Sequence, residues 1–179
     1  MDWLAATIRA FETVPTAIWV VLVPAFVLAV RAREGRIVSR IGHWLMPVWL
    51  AALLLVVGRE AEMAFPGMAF AIVGALVAGV AAGFLLAFPA RIGADHQWGL
   101  LRIGGSLLPL AGIAAAVLAM LAVYSEAVPA QVLATAVAAM GFASGAVTGR
   151  VLGHDLKARR TEHVDLMALG KAGRFLSRL

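Results

Sequence analysis

Three of the four histidines, His43, His96 and His154, fall beside short basic clusters, and Asp95 and Asp155 adjoin two of them. Imidazole nitrogens and carboxylate oxygens are zinc ligands, and zinc held this way can activate water. These five residues are therefore the one candidate metal or catalytic constellation in the chain. Their spacing does not make a site by itself. No HExxH or other short-range ligand pattern is present, so loops would have to bring the residues together. Trp44 and Trp98 lie beside two of the histidines, the company expected of headgroup contacts at a membrane surface. Histidines at the ends of separate spans are not expected to face one another, which disfavours a bis-histidine haem. The chain has no cysteine, which excludes disulfides, thiolate metal sites and iron-sulfur clusters. There is no GxSxG, phosphate-binding loop or dinucleotide fingerprint. No catalytic residue and no cofactor are expected.

The elements that must position these residues follow from composition. Of 179 residues 63% are hydrophobic and 14% charged, and mean hydropathy is +0.94. An ordinary soluble domain is about 45–50% apolar and about 25% charged, so lipid is the expected solvent. Crossing the hydrocarbon takes about 20 mainly apolar residues per helix. Five stretches qualify, at residues 14–30, 41–58, 67–90, 101–124 and 128–151. The second is short, so Arg40 and Arg59 must snorkel or the bilayer must thin around it. The expected class is thus an all-α integral membrane bundle of five transmembrane helices.

Loop charge sets its orientation. Arg31, Arg33, Arg36 and Arg40 fill the first loop, Arg59 stands beside Glu60 and Glu62 in the second, Arg91 and Arg102 flank the third, and the fourth has no basic residue. Seven of the fifteen basic residues lie from Arg150 onward. Positive loops stay in the cytoplasm, so the N-terminus is expected outside and the C-terminus inside. The net charge of +5 is then explained by anionic headgroups at the basic loops and tail, with no nucleic acid. Arginine outnumbers lysine thirteen to two, a bias that suggests a GC-rich bacterial genome and a multi-pass protein of the bacterial cytoplasmic membrane. Residues 1–13 carry Leu4, Ile8 and Phe11 at helical spacing, as an outer interfacial helix would. They lack a basic start and a cleavage site, so this segment is expected to be retained. Residues 152–179 form a basic amphipathic cytoplasmic tail, with Ala172, Phe175, Leu176 and Leu179 on one stripe.

Two ladders of small residues repeat every four positions. Gly67, Ala71, Ala75, Gly79, Gly83 and Ala87 lie in the third span, and Gly141, Gly145, Gly149 and Gly153 in the fifth. Such ladders let helix backbones approach in lipid, either inside one monomer or across a homodimer or partner interface. Pro24 in the first span, and Gly104, Gly105 and Ser106 before Pro109 in the fourth, are expected to kink their helices. Broken helices can expose backbone groups to a substrate, which is the basis for a transport reading. No ionisable residue falls deep in a span, which counts against a proton pump, a voltage sensor or a carrier with a buried carboxylate.

PTAIW at Pro15 to Trp19 leading into the Arg-rich loop, GSLLPL at Gly105 to Leu110, and GFASGAVTGR at Gly141 to Arg150 together resemble the CcdC-like group of small bacterial multispanning proteins. A basic residue expected before Tyr124 is Val123 here. The group takes its name from association with cytochrome c maturation, and the resemblance brings no catalytic residues with it. The expected function is a non-enzymatic scaffold or accessory subunit packed through small-residue faces. The alternatives are a small transporter or channel built on the fourth span, and a membrane enzyme with a cytoplasmic-face His/Asp metal site.

Overall fold

The computed structural model describes residues 12–125 and 128–167. Along them run α1 (Thr16–Arg31), β1 (Arg36–Ser39), α2 (Arg40–Ala64), α3 (Met68–Ala87), β2 (Gly93–Asp95), β3 (Leu100–Ile103), α4 (Leu108–Tyr124) and α5 (Ala130–Ala158). The stripes expected at Leu4, Ile8 and Phe11, and at Ala172, Phe175, Leu176 and Leu179, lie outside the described residues. Helices α2, α3 and α5 are long and apolar enough to cross a membrane, while α1 and α4 are apolar but shorter, at 16 and 17 residues.

Local chemistry sets the boundaries. The Ser39 hydroxyl caps α2 by accepting from the Gly42 amide at 2.9 Å. Glu62 reaches out of the last turn of α2 and accepts from the amides of Gly67 and Ala69 at 2.8 and 2.7 Å, capping α3. Gly67 starts that helix at φ 98°, a left-handed conformation that suits glycine. Helix α2 has 25 residues and continues past the expected end at residue 58 through Glu60 and Glu62, so its expected shortness does not arise. Helix α5 continues to Ala158, beyond the expected end at residue 151, and at 29 residues is about 44 Å long.

The fourth stretch departs most from expectation. Leu100–Ile103 is a strand, and α4 begins only at Leu108. Pro109 therefore sits in the first turn, where its missing N–H removes no helix hydrogen bond, and it makes no mid-helix kink. Pro24 lies inside α1, which runs on through it. The three strands form an antiparallel sheet in the order β1-β3-β2, with Arg36 opposite Ile103 and Gly93 opposite Arg102. This sheet, absent from the all-helical expectation, joins the first connection to the third. The ends of α1, α3 and α5 and the starts of α2 and α4 therefore meet at one end of the bundle.

Ile18, Leu22, Ala25 and Ala29 bury one stripe of α1, and Leu50, Leu53, Leu54 and Val57 one stripe of α2, against Ile113, Ala116 and Met120 of α4 and Val137 and Met140 of α5. Helix α3 buries only Met68, Gly79, Gly83 and Ala87, and leaves Phe70, Val77 and Leu85 exposed. Its contact with α5 is backbone to backbone. A Cβ on Gly79 would strike the carbonyl of Phe142, and one on Gly83 that of Ala146. In return, Cβ atoms on Gly145 and Gly149 would strike the carbonyls of Leu76 and Val80. Gly141 faces Ile72 and Ala75, and Gly153 faces Ala87. Gly67 and Ala71, at the start of the ladder, are exposed.

Gly83→Ala is therefore expected to force α3 and α5 apart and lower stability by about 1–3 kcal/mol. Gly74→Ala, whose Cβ would meet nothing within 4 Å, should be neutral or slightly stabilising. Unfolding of the two variants in detergent micelles checks this. Equal midpoints would contradict the close α3–α5 approach.

Candidate anion-binding site

At the end of the bundle that carries the sheet, α2 and α5 run antiparallel and are fastened by charge. The Arg40 guanidinium donates from Nε to Asp155, which also receives Arg159 at 3.4 Å. Lys157 donates to the carbonyls of Phe88 and Ala90 at 2.8 and 2.6 Å, tying α5 to the end of α3. His43 lies three residues after Arg40, and His154 directly precedes Asp155. The register set by this ion pair brings the two imidazoles together. His43 Nε2 and His154 Nδ1 are 3.2 Å apart, and the rings stack with centroids 5.4 Å apart and an interplanar angle of 10°. Both are buried, at 8% and 2% exposure. The expectation that these histidines would not face one another is thus corrected: His43 sits in the first turn of α2 and His154 near the end of α5, which runs past its apolar stretch, and the two meet at the same end of the bundle.

The pair borders a cavity of about 40 Å³ that is also lined by Arg36, Ser106, Pro109 and Arg150. That is room for a few waters or for a group the size of a small oxyanion. Arg36 comes from β1, and Ser106 is held by its amide, which donates to the Ala32 carbonyl at 2.8 Å. A Cβ on the preceding Gly105 would strike the Arg33 carbonyl, so this close approach of the first and third connections needs glycine. Arg150 leaves α5 two turns before the end of the helix, which runs on past the apolar stretch, and donates to Ser106 Oγ at 2.9 Å.

The lining is rich in hydrogen-bond donors and carries no carboxylate. Among the described residues, Arg36 Nε and His154 Nε2 in the lining are buried without a hydrogen-bond partner, as is Arg40 Nη2 outside it. Ser106 Oγ accepts from Arg150 and, at 3.2 Å, from the Leu108 amide. Both of its acceptor positions are then engaged, which leaves its O–H to donate. Burial, with Arg31 nearby, pushes the Arg36 guanidinium below its ordinary pKa, the mark of a cation held without a counterion.

The residues grouped as a possible metal site divide into two places. His43 and His154 form the pair above, with Asp155 turned to Arg40 and Arg159. Asp95 and His96 lie at the β2–β3 turn with His163, a residue the sequence reading did not single out. Asp95 is 2% exposed. Its Oδ1 accepts from the amides of Gln97 and Trp98, both at 3.1 Å, and its Oδ2 from that of Leu166 at 3.2 Å. His163 Nδ1 is 3.8 Å from Oδ1 and accepts from the His96 amide at 3.2 Å. His96 Nε2 meets the Thr161 carbonyl at 2.9 Å. Asp95 thus organises a turn and holds the segment after α5 against the sheet. Among the described residues no group of three His, Asp or Glu side chains is arranged to hold a metal ion.

Of the residues proposed for a pathway, Gly104, Ser106 and Pro109 line the cavity, while Pro24 does not. Arg36 and Arg150 are the functional candidates that sequence reasoning missed. Both were read only as loop and tail charge, although Ser106 and Arg150 both lie in the segments that carry the family resemblance. No model of a known family, no curated protein and no solved structure matches the chain.

Asp95 supplies a pH prediction. Burial alone would raise its pKa, but the amides of Trp98, Leu166 and Gln97 and the proximity of His163 outweigh it and hold the carboxyl below its ordinary 3.8. A folded value below the unfolded one stabilises the fold at neutral pH, and this contribution is lost as the pH falls through the folded value. Asp95→Ala should therefore lower the unfolding midpoint at neutral pH. The gap from wild type should close in acid, below the ordinary 3.8. A gap that stays constant across this titration would contradict the capping role.

Proposed function

We propose that this chain is a five-span protein of the bacterial cytoplasmic membrane, with its N-terminus outside, that binds a small oxyanion in the cavity at its basic, cytoplasmic end. Two arginines, a buried imidazole nitrogen and a serine hydroxyl converge on one small volume without a carboxylate, and this observation carries the reading. Phosphate, sulfate or a carboxylate supplies the acceptors that such a donor set lacks. The five-span reading is supported by the alternation of basic and neutral loops, and by the joining of the first and third connections in one sheet. The shorter α1 and α4 would cross with help from their flanking residues.

A carrier or channel is the second reading, since Gly104, Ser106 and Pro109, on which a pathway in the fourth segment would be built, border this same cavity. A scaffold acting through its small-residue faces fits less well. Gly79, Gly83, Gly145 and Gly149 are occupied by the contact between α3 and α5, so they do not form a free surface.

Two measurements test the proposal. Sulfate binding to the full chain in phosphatidylcholine nanodiscs should weaken by about tenfold or more in Arg150→Gln and in Arg36→Gln, the loss expected for one charge-assisted hydrogen bond. Absence of sulfate binding by the wild type would sink the anion reading. Because the chain has no cysteine, single cysteines report topology directly. A membrane-impermeant reagent should label cysteine placed at Glu62 or Ser125 from outside, and should not label it at Gly35 or Ala158. The reverse pattern would overturn the orientation.

A further inference from the structure

The contact between His43 and His154 has a consequence for what accompanies the anion. In a neutral pair one imidazole donates across the 3.2 Å gap and the other accepts. If His43 Nε2 carries the hydrogen, His154 has its own hydrogen on Nε2. If His154 Nδ1 carries it, His154 Nε2 is a bare acceptor among cations. Only with an added proton does His154 donate from both nitrogens at once, to His43 on one side and from Nε2 on the other. Nε2 is the nitrogen that has no partner among the described residues, and its residue lines the cavity.

We propose that the oxyanion is taken up together with a proton from solvent, and that the His43–His154 pair holds this proton while the anion is bound. The inference rests on the anion-binding reading above and adds the ligand's protonic stoichiometry. The surrounding charges give its sign. Arg36 on β1 and Arg150 on α5 border the cavity with the pair, and Lys157 lies further along α5 with its ammonium on the carbonyls of Phe88 and Ala90. Asp155, the nearby carboxylate, is engaged by Arg40 and Arg159. The other elements against the pair contribute no titratable group to the lining: α1 gives Ala32, β3 gives Ile103, and α4 gives Leu108 and Pro109. An added proton thus enters a positive environment, and an anion in the cavity converts repulsion into attraction. Linkage requires the converse as well: a proton on the pair tightens the anion.

Calorimetric titration of sulfate into the full chain in phosphatidylcholine nanodiscs, in two buffers of different protonation enthalpy, counts the protons. Sulfate remains fully ionised near neutrality, so any proton taken up belongs to the protein. Close to one proton per sulfate is expected at about pH 5, where sulfate is still fully ionised, and less toward neutrality, with affinity falling by up to about tenfold for each unit of rising pH. This arm needs no variant to fold. His154→Gln keeps both arginines and should bind sulfate more weakly, with no proton uptake and a flat pH profile. Sulfate binding by the wild type without proton uptake would overturn the coupling while leaving the anion site standing. No sulfate binding would overturn both. Discs containing phosphatidic acid separate the possible sources of the anion. Weakened sulfate binding there assigns the pocket to a lipid phosphate, unchanged binding assigns it to a free oxyanion, and the proton count per bound sulfate should be the same in both.

Discussion

Backbone contact between α3 and α5 is the constraint on which the rest of the structure depends. In lipid there is no hydrophobic drive between helices, so association rests on dispersion and on how closely two backbones can approach. At Gly79 and Gly83 on one helix and Gly145 and Gly149 on the other, a Cβ would strike a carbonyl of the partner. The fit is reciprocal, because the residues that present those carbonyls stand within a turn of the partner's own glycines. With one face joined to α3, α5 turns its other buried residues, Leu133, Val137, Met140 and Val147, into the core shared with α1, α2 and α4. It becomes the central helix, and the site belongs to whatever meets its C-terminal third.

Three fastenings act on that third. The Arg40–Asp155 ion pair sets α5 against α2, the Lys157 ammonium sets it against the end of α3, and Arg150 reaches Ser106 ahead of α4. The sheet adds a fourth, by placing Arg36 on the strand paired with the one that leads to Ser106. The four donors around the cavity therefore come from three parts of the chain, each positioned by interactions outside the cavity itself. Substituting Arg36 or His154 leaves all four fastenings in place, whereas substituting Arg150 also removes its link to Ser106.

The helical architecture was largely legible in the sequence, because helices long and apolar enough to cross a membrane show as long apolar stretches. Spacing alone also located the small-residue ladders. What periodicity cannot show is how far a helix runs beyond its apolar part. Glu60 and Glu62 extend α2, and His154 to Ala158 extend α5, although both segments are polar. His154 lies in the extension of α5 and His43 in the first turn of α2, inside its apolar stretch, so each read as a separate interface residue. The sheet was hidden for a different reason. Leu100–Ile103 carries three apolar residues around Arg102 and runs close to the apolar helix after it, and pairing with Gly93–Asp95 and with Arg36–Ser39, more than sixty residues earlier, makes it a strand. The cavity was hidden further still, since its donors become one site only through those two misread segments.

Two arginines at this end differ in what they meet. Arg40 and Arg36 are four residues apart. Arg40 meets a carboxylate, and its interaction with Asp155 joins two helices. Arg36 is half-buried with an unpartnered Nε, beside a second half-buried arginine and a histidine nitrogen in the same state. A buried donor left unsatisfied costs about 1–3 kcal/mol, a substantial fraction of the about 5–15 kcal/mol that holds a typical domain together. One aspartate or glutamate in the lining would lower that cost, as Asp155 does for the Nε of Arg40, whose Nη2 stays unpartnered among the described residues, and would also fill the space with a fixed acceptor. A lining that gathers cations and donors while holding no acceptor of the same charge strength suits a group that comes and goes, because only then does the missing negative charge belong to the ligand.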